Sequence, residues 1–503
     1  MNPPNPSPLL AEAHLPEGWA VVTLDEIGRL HCGQSPATAQ VNTTGKGTPY
    51  VTGPEQWNGK VLHVHKFTTD PRRIAPDGCI FITVKGAGVG TLFPGVKAAI
   101  GRDVYAFEPN EQLVREFVLR ALELTISEIK ARATGDIPGL SKDHILTHVI
   151  GLPPLIEQKR IVGKIEQLRV YVNASRERLA RIPAILKRFR QAVLAAGCSG
   201  RLTAEWRESQ HSEEQSAALL DEIRIEVFSG KKGSRQTRPV HLDDAPFSVP
   251  RSWSWVSTSD VCTAITDGDH QPPPKADRGI PFVVISNVSS GVLDLSETMF
   301  VPESYYEGLS KERRPIRGDI LYSVTGSYGI PVLVDTDAKF CFQRHIALLR
   351  PHERISSKFL WIAMSSPFVY RQSSSVATGI AQMTVPLSGL RALRIPVPPS
   401  CEQREIVRRV EALFKVADAI EKRVADANEH VEKLTRAILA KAFRGELVPT
   451  EAELARREGR TYETAAELLA RIEAAKQQRD LTKPPRARRS QAIRGRSVRR
   501  QEA

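Results

Sequence analysis

The chain has 503 residues, of which 41% are hydrophobic and 25% charged, with a formal net charge of +13. That length can bury two or more cores. No apolar run is long enough to span a bilayer and no secretory leader opens the chain. A cytoplasmic protein without membrane contact is therefore expected, its opening MNPPNPSP a loose arm. Six cysteines (32, 79, 198, 262, 341 and 401) form no CxxC pair and no histidines cluster at metal spacing, which argues against disulfides and zinc. The charge is uneven: from Lys476 onward there are ten Lys/Arg against two Asp/Glu, so the tail carries +8 and the rest about +5. Such a tail reads as disordered and able to touch nucleic acid without reading sequence, or simply as solubilising.

A first block, residues 15–150, opens on LPEGW (Leu15–Trp19) and contains PYV (Pro49–Val51), HVH (His63–His65), DGCIFITVKGAGVG (Asp77–Gly90) and ATG (Ala133–Gly135). Its alternating apolar runs, broken by Gly, Pro and Ser, predict short strands and turns. HVH reads as a surface strand, and Phe117–Ile129 as a helix. The stretch LPPLIEQKRIVGKIEQL (152–168) then starts a helix expected over 153–197. Its Pro-Pro suits a first helical turn. Ile161, Ile165, Leu168, Val172, Ser175, Leu179, Ile182, Leu186, Phe189 and Val193 recur at alternating spacings of four and three, which puts them on one seam. Gly200 is placed as its stop, and Pro183 inside it predicts a kink. GRLTAEWR (200–207) and AALLDEI (217–223), a short helix, complete the region 152–230.

The same plan then returns. VPRSW (Val249–Trp253) answers LPEGW, PFV (Pro281–Val283) answers PYV, and RGDILYSVTGSYGI (Arg317–Ile330) answers DGCIFITVKGAGVG. ATG recurs at Ala377–Gly379. Strands are expected at Ile320–Val324 and Ile330–Val334, and a helix at Phe359–Val369. After this second block, residues 249–396, VPPSCEQREIVRRVEAL (397–413) repeats the helix start 245 residues on. The predicted helix, 398–443, keeps the seam at Ile406, Val410, Leu413, Ala417, Ile420, Val424, Ala427, Val431, Leu434 and Ile438. AELLARI (466–472) closes the region 397–475, and 476–503 is the basic tail. At about 1.5 Å per residue the two rods would each be roughly 60–65 Å long, and the simplest partner for each wet seam is the other rod.

Catalytic motifs are present only in fragments. NPPN at Asn2–Asn5 has Asn5 where an amino-methyltransferase needs an aromatic to stack on a flipped base. PDGCIFITVK (Pro76–Lys85) has the opening and the lysine of a PD-(D/E)xK nuclease, but Thr83 stands where an acidic metal ligand is required. KGAGVG (Lys85–Gly90) lacks the GKS/T ending and the following helix of a phosphate loop, and reads as a tight turn.

The repeated PP-x-x-E-Q-x-x-I-V helix start, GDILYSVTGSYGI, the two ATG segments with their polar runs, and GRLTAEWR together resemble the specificity subunit of type I restriction–modification enzymes over about residues 15–472. The resemblance implies an α+β fold of two β-rich DNA-recognition domains, 15–150 and 249–396, related by a pseudo-two-fold. Two long antiparallel coiled-coil helices would separate them. It implies a non-catalytic subunit that reads a bipartite, asymmetric double-stranded DNA site. Two methylation subunits and restriction/motor subunits would dock on it, with S-adenosylmethionine, ATP and Mg²⁺ bound by those partners and no cofactor by this chain. A coiled-coil scaffold without DNA specificity and a stand-alone DNA methyltransferase are the alternatives.

Readers of this kind carry polar side chains on loops, where Arg grips guanine and Asn or Gln adenine. The candidates are Lys85, Arg102, Ser141 and Lys142 in the first block, and Ser327, Tyr328, Gln343, Arg344 and Gln382 in the second. Helix packing is assigned to Ile161, Ile165, Leu168, Leu179, Leu186 and Phe189 with Val410, Leu413, Ile420, Val424, Val431 and Leu434.

Overall fold

The computed structural model describes residues 15–86, 88–131, 139–210, 216–228, 247–270, 272–380 and 382–481. The motif at Asn2–Asn5, the first ATG (Ala133–Gly135) and nearly all of the basic tail lie outside them. Two units emerge: residues 1–178 with 427–503, and residues 179–426. Both cuts fall inside a long helix, Leu155–Cys198 and Ser400–Phe443.

In the first unit, Ala20–Thr23 pairs antiparallel with Val149–Leu152, bringing the two ends of the block together. A four-stranded sheet follows, in the order Gly28–Cys32, Val104–Pro109, Ile80–Thr83, Leu92–Pro94. Short strands around Thr48–Val51 form a second sheet, in which Tyr50 pairs parallel with Ala99. The second unit repeats this. Ser254–Ser257 pairs with Arg394–Val397, and the four-stranded sheet runs Cys262–Asp267, Ile346–Pro351, Ile320–Ser323, Pro331–Leu333. Ile280–Val283 makes the corresponding parallel pair with Cys341–Phe342.

The central strands have no solvent face, which is why they read as unbroken apolar runs. Successive residues point to opposite faces, so Ile80 and Ile82 enter one core while Phe81 enters another with Phe93 and Ile100. In the second unit Ile320 and Tyr322 face one core, and Leu321 faces the other with Phe340 and Leu348. The larger core of the first unit takes in Ile161, Ile165, Leu439, Ala442 and Leu468. That of the second takes in Val193, Cys198, Ile406, Val410 and Ile223. Within each unit the long-helix segments are antiparallel. Arg176 Nη2 donates to Glu432 Oε1 at 2.8 Å in the first, and Arg190 bonds Glu421 and Asp418 in the second.

Several sequence expectations are corrected. Residues 359–369 are not one helix: Ser357–Met364 and Pro367–Val376 are separate, because Pro367 has no N–H and starts a new helix capped by Ser366. His63 and His65 belong to no strand; both are exposed, and His63 bonds Asn58 at 2.7 Å. The Pro-Pro pairs precede the helices, with Pro154 and Pro399 accepting the first bonds from Gln158 and Gln403. Apart from these corrections, Leu155–Cys198 is one helix that contains Pro183. On the seam, Ile161, Ile165, Leu186 and Val410 are buried, and Leu168, Leu179, Phe189, Leu413, Val424 and Val431 are half-buried. Ile420 and Leu434, however, are 37% and 53% exposed. After Val431 the covered stripe steps by four rather than three, to the half-buried Thr435 and then to Leu439 and Ala442. An α-helix turns once per 3.6 residues, so an uninterrupted 3.5-residue seam drifts unless the helix underwinds or the stripe slips.

Candidate nucleic-acid interface

The duplicated Glu-Gln pair fixes how each block is mounted. Glu157, 0% exposed, accepts from Trp19 Nε1 at 2.9 Å and from the Glu451 amide at 2.8 Å. Its counterpart Glu402 accepts from Trp253 Nε1 at 2.8 Å, from Thr203 Oγ1 at 2.7 Å and from Arg207 Nη2 at 2.7 Å. Gln158 and Gln403 each donate to the first proline carbonyl of their own Pro-Pro, at 3.0 Å in both copies. Their side-chain carbonyls accept the amides of Val114 and Ser356, again at 3.0 Å, just ahead of a helix of the block. The tryptophan that opens each block and the helix that ends its sheet are thus tied to one buried turn of a long helix. Burial of these polar side chains is tolerated because the described bonds satisfy them.

From that mount, three turns meet at one rim of the four-stranded sheet in each unit. In the first, Val84 donates to Asp103 O at 2.8 Å, Leu140 donates to Val84 O at 2.9 Å, and Val104 closes the turn onto Gly101 O. In the second, Val324 donates to His345 O at 2.9 Å, Val385 to Val324 O at 2.8 Å, and Ile346 to Gln343 O. Gly33 and Gly268 sit beneath these turns; a Cβ at either would strike the backbone of residues 101–104 or 342–343.

All the candidate residues of each block fall on this rim. Lys85 and Arg102 are exposed, the Arg102 side chain 76% so. Ser141 is occupied as a cap, accepting from the His144 amide at 3.2 Å, while Lys142 begins the short helix it caps and is exposed. In the second unit Ser327, Arg344 and Gln382 are exposed. Gln343 is half-buried and its amide donates to Val283 O. Tyr328 stacks on Tyr370, with ring centroids 5.9 Å apart and planes 11° apart, and donates to Ser374. Arg102 and Arg344 hold the same register in the two copies, each two residues before its strand, Val104–Pro109 or Ile346–Pro351. Exposed arginines so placed suit bidentate contact with guanine or a phosphate.

Sequence reading missed Tyr370, Ile380 and Met383, which share the second rim and are 49%, 107% and 37% exposed. The one available signal was an isoleucine inside the polar run ATGIAQMT. It also missed Asp267, which pairs with His270 at 2.9 Å and Arg313 at 3.6 Å beside that rim. Burial, with Arg344 alongside, holds the His345 imidazole below its ordinary value, which favours the neutral ring.

The described residues of KGAGVG lie between antiparallel strands: Gly90 donates to Thr83 O at 2.8 Å, Gly86 and Gly90 have φ of +80° and +85°, and a strand rather than a helix follows. Thr83 is 1% exposed. Among the described residues no group of three or more His, Cys, Asp or Glu is placed to hold a metal, and no helix is long and apolar enough to cross a membrane. The six cysteines are free.

A family model described as the type I restriction modification DNA specificity domain matches the chain twice, over residues 16–183 and 250–428. The chain is 29% identical over 438 residues to the EcoBI type I restriction enzyme specificity subunit of Escherichia coli, covering 86% of each. It is 33% identical over 304 residues to the StySPI specificity subunit of Salmonella potsdam, covering 59% of this chain and 57% of the relative. A solved structure from a study of type I R-M complex assembly and conformational transition shares the fold, with a TM-score of 0.58 at 18% identity, over 86% of this chain and 99% of that one. Two matches to one domain model, over two copies of one mount and one rim, make this chain a member of the type I restriction–modification DNA specificity family.

Proposed function

We propose that this chain is the sequence-reading subunit of a type I restriction–modification enzyme, each rim reading one half of a split double-stranded DNA site. The observation that carries this reading is the duplicated rim. Three turns on a mount built around the same Trp and Glu-Gln pair present an exposed arginine at the same register, while the side chains around it differ. In the first unit Lys85, Ser141 and Lys142 surround it; in the second, Ser327, Gln382 and the Tyr328–Tyr370 stack do. Different readers on one framework call for two different half-sites and an asymmetric whole.

On this reading the chain performs no chemistry itself. Its methyltransferase and nuclease fragments lack the residues those reactions need, Asn5 replacing an aromatic and Thr83 an acid. Two methylation subunits and restriction/motor subunits supply turnover, and S-adenosylmethionine, ATP and Mg²⁺ bind to them. The names of the relatives, all specificity subunits of type I restriction enzymes, support that division of labour. The test is reconstitution. The isolated chain, given all three cofactors, is expected to methylate and cleave nothing; with methylation subunits added, one asymmetric split motif becomes methylated. Turnover by the chain alone, or methylation without a motif, overturns the reading.

A further inference from the structure

The second rim carries a hairpin that the mount and the arginine do not account for. Thr378 and Thr384 exchange backbone bonds, at 2.9 Å from the Thr378 amide and 2.7 Å from the Thr384 amide. Thr384 then forms a bridge with Thr325, and the Gly326 amide donates to Met383 O at 3.0 Å. The Met383–Thr384 leg is therefore tied to the turn after the strand Ile320–Ser323, and through Val385 and Val324 to the loop that carries Arg344, while Thr378 is held through Thr384. Gly379 has φ +131°, and a Cβ there would run into Gln382 O, so this tight return needs glycine.

What the hairpin presents is unusual for a surface loop. Ile380 is 107% exposed, more than any other large apolar side chain among the described residues. A single exposed apolar residue needs no explanation by itself. This one lies between Thr378 and Thr384, which are bonded to each other and, through Thr384, to the rim, with exposed Gln382 nearby in the chain and exposed Ser327 on the adjoining turn. A two-stranded ribbon fits the major groove, and there the thymine methyl is the apolar feature of a base edge, opposite the adenine pattern that a glutamine amide matches.

Building on the proposed function, we infer that the Thr378–Thr384 hairpin enters the major groove and reads one A·T pair, with Gln382 on the adenine edge and Ile380 packed on the thymine 5-methyl. Ile380 is then a specificity determinant of the second half-site. The chemistry is that of a methyl contact, so it can be removed from either side of the interface.

The experiment uses the full chain purified with its methylation subunits, and duplexes carrying the motif that methylome sequencing reveals. Each thymine of both half-sites is replaced in turn by 2′-deoxyuridine, which lacks only the methyl. At one position the replacement should weaken competitive binding by about fourfold, the value of one buried methylene-sized group. Ile380→Ala should weaken binding to the thymine duplex by a similar factor and make the uridine replacement at that position silent. Gln382→Ala should relax the choice of base at the same pair. Unchanged binding by Ile380→Ala, additive losses from the variant and the uridine, or no responsive thymine would overturn the inference while leaving selective binding, and so the proposed function, intact. An Ile380→Ala variant that loses its methylation subunits without DNA present would overturn it in favour of a protein contact. Absence of selective binding by the parent complex would remove both readings together.

Discussion

Glu157 and Glu402 hold the same place in the two repeats, yet their charges are held differently. Glu402 lies beside Arg207, with Nη2 2.7 Å from its Oε1, whereas Glu157 accepts from neutral donors and shares its surroundings with the carboxylate of Glu451. Burial pushes the Glu157 carboxyl up, only partly offset by the bonds from Glu451 and Trp19. A carboxyl raised in the folded state stabilises fully below its ordinary value, and that stabilisation is lost as pH rises through the raised one. The stability of the parent minus that of Glu157→Gln should therefore fall as pH is increased from the ordinary carboxylate range toward neutrality, in urea melts at each pH. Glu402→Ala removes an ion-pair partner that is 2% exposed and should cost about 3 kcal/mol at pH 7; a cost below about 1 kcal/mol would mean that Glu402 is no anchor. The Glu-Gln pair was legible as a repeat, but its partners were not. Trp19 is 138 residues from Glu157 and Glu451 is 294 away, and no local pattern encodes such pairings.

At the scale of elements, period carried most of the reading and proline most of the error. The four-three seam marked both long helices because an apolar stripe must be covered wherever it runs. It misassigned Leu434, since a constant spacing in sequence does not reveal where the covered stripe slips, and it does not explain why Ile420 is 37% exposed. Val410→Asp, at a position 1% exposed, should destabilise the second unit by several kcal/mol. Leu434→Asp, at 53% exposure, should stay within about 0.5 kcal/mol of the parent. Equal effects in thermal melts would mean the seam does not slip. Pro367 split a predicted helix because Ser366 and Pro367 together make a helix start, a signal that was present and underweighted. The rims were only half legible: loops advertise polar residues, but only the fold brings Lys85, Arg102 and Lys142 to one edge. Gly268→Ala should disturb the corresponding edge of the second unit, because its Cβ meets the backbone of Phe342 and Gln343, which cannot swing aside. The expected outcome is loss of selectivity in one half-site with the other retained, read by methylome sequencing.

For the whole molecule, the division into two units explains why the chain writes its plan twice. Each unit closes its core with the start of one long helix, the end of the other, and a short helix that follows the other copy's rod. The segment Leu202–Trp206, which in sequence lies loosely between rod and reader, is part of this closure: Thr203 Oγ1 is bonded to Glu402 at 2.7 Å. An insertion there would break the mount. One four-residue insertion at 178/179 and another at 426/427 would instead leave each unit's described contacts intact. Each added turn is about 5.4 Å against about 3.4 Å per base pair, so the proposed reading predicts an unread gap longer by one or two base pairs with both half-sites unchanged. The central claim, two separable readers on one framework, is tested most directly by exchanging residues 249–396 for the corresponding block of another specificity subunit and sequencing the methylome of cells that carry the hybrid with its partner subunits. The account predicts a split motif in which one half is replaced and the other half is kept; a motif altered in both halves, or in neither, would contradict it.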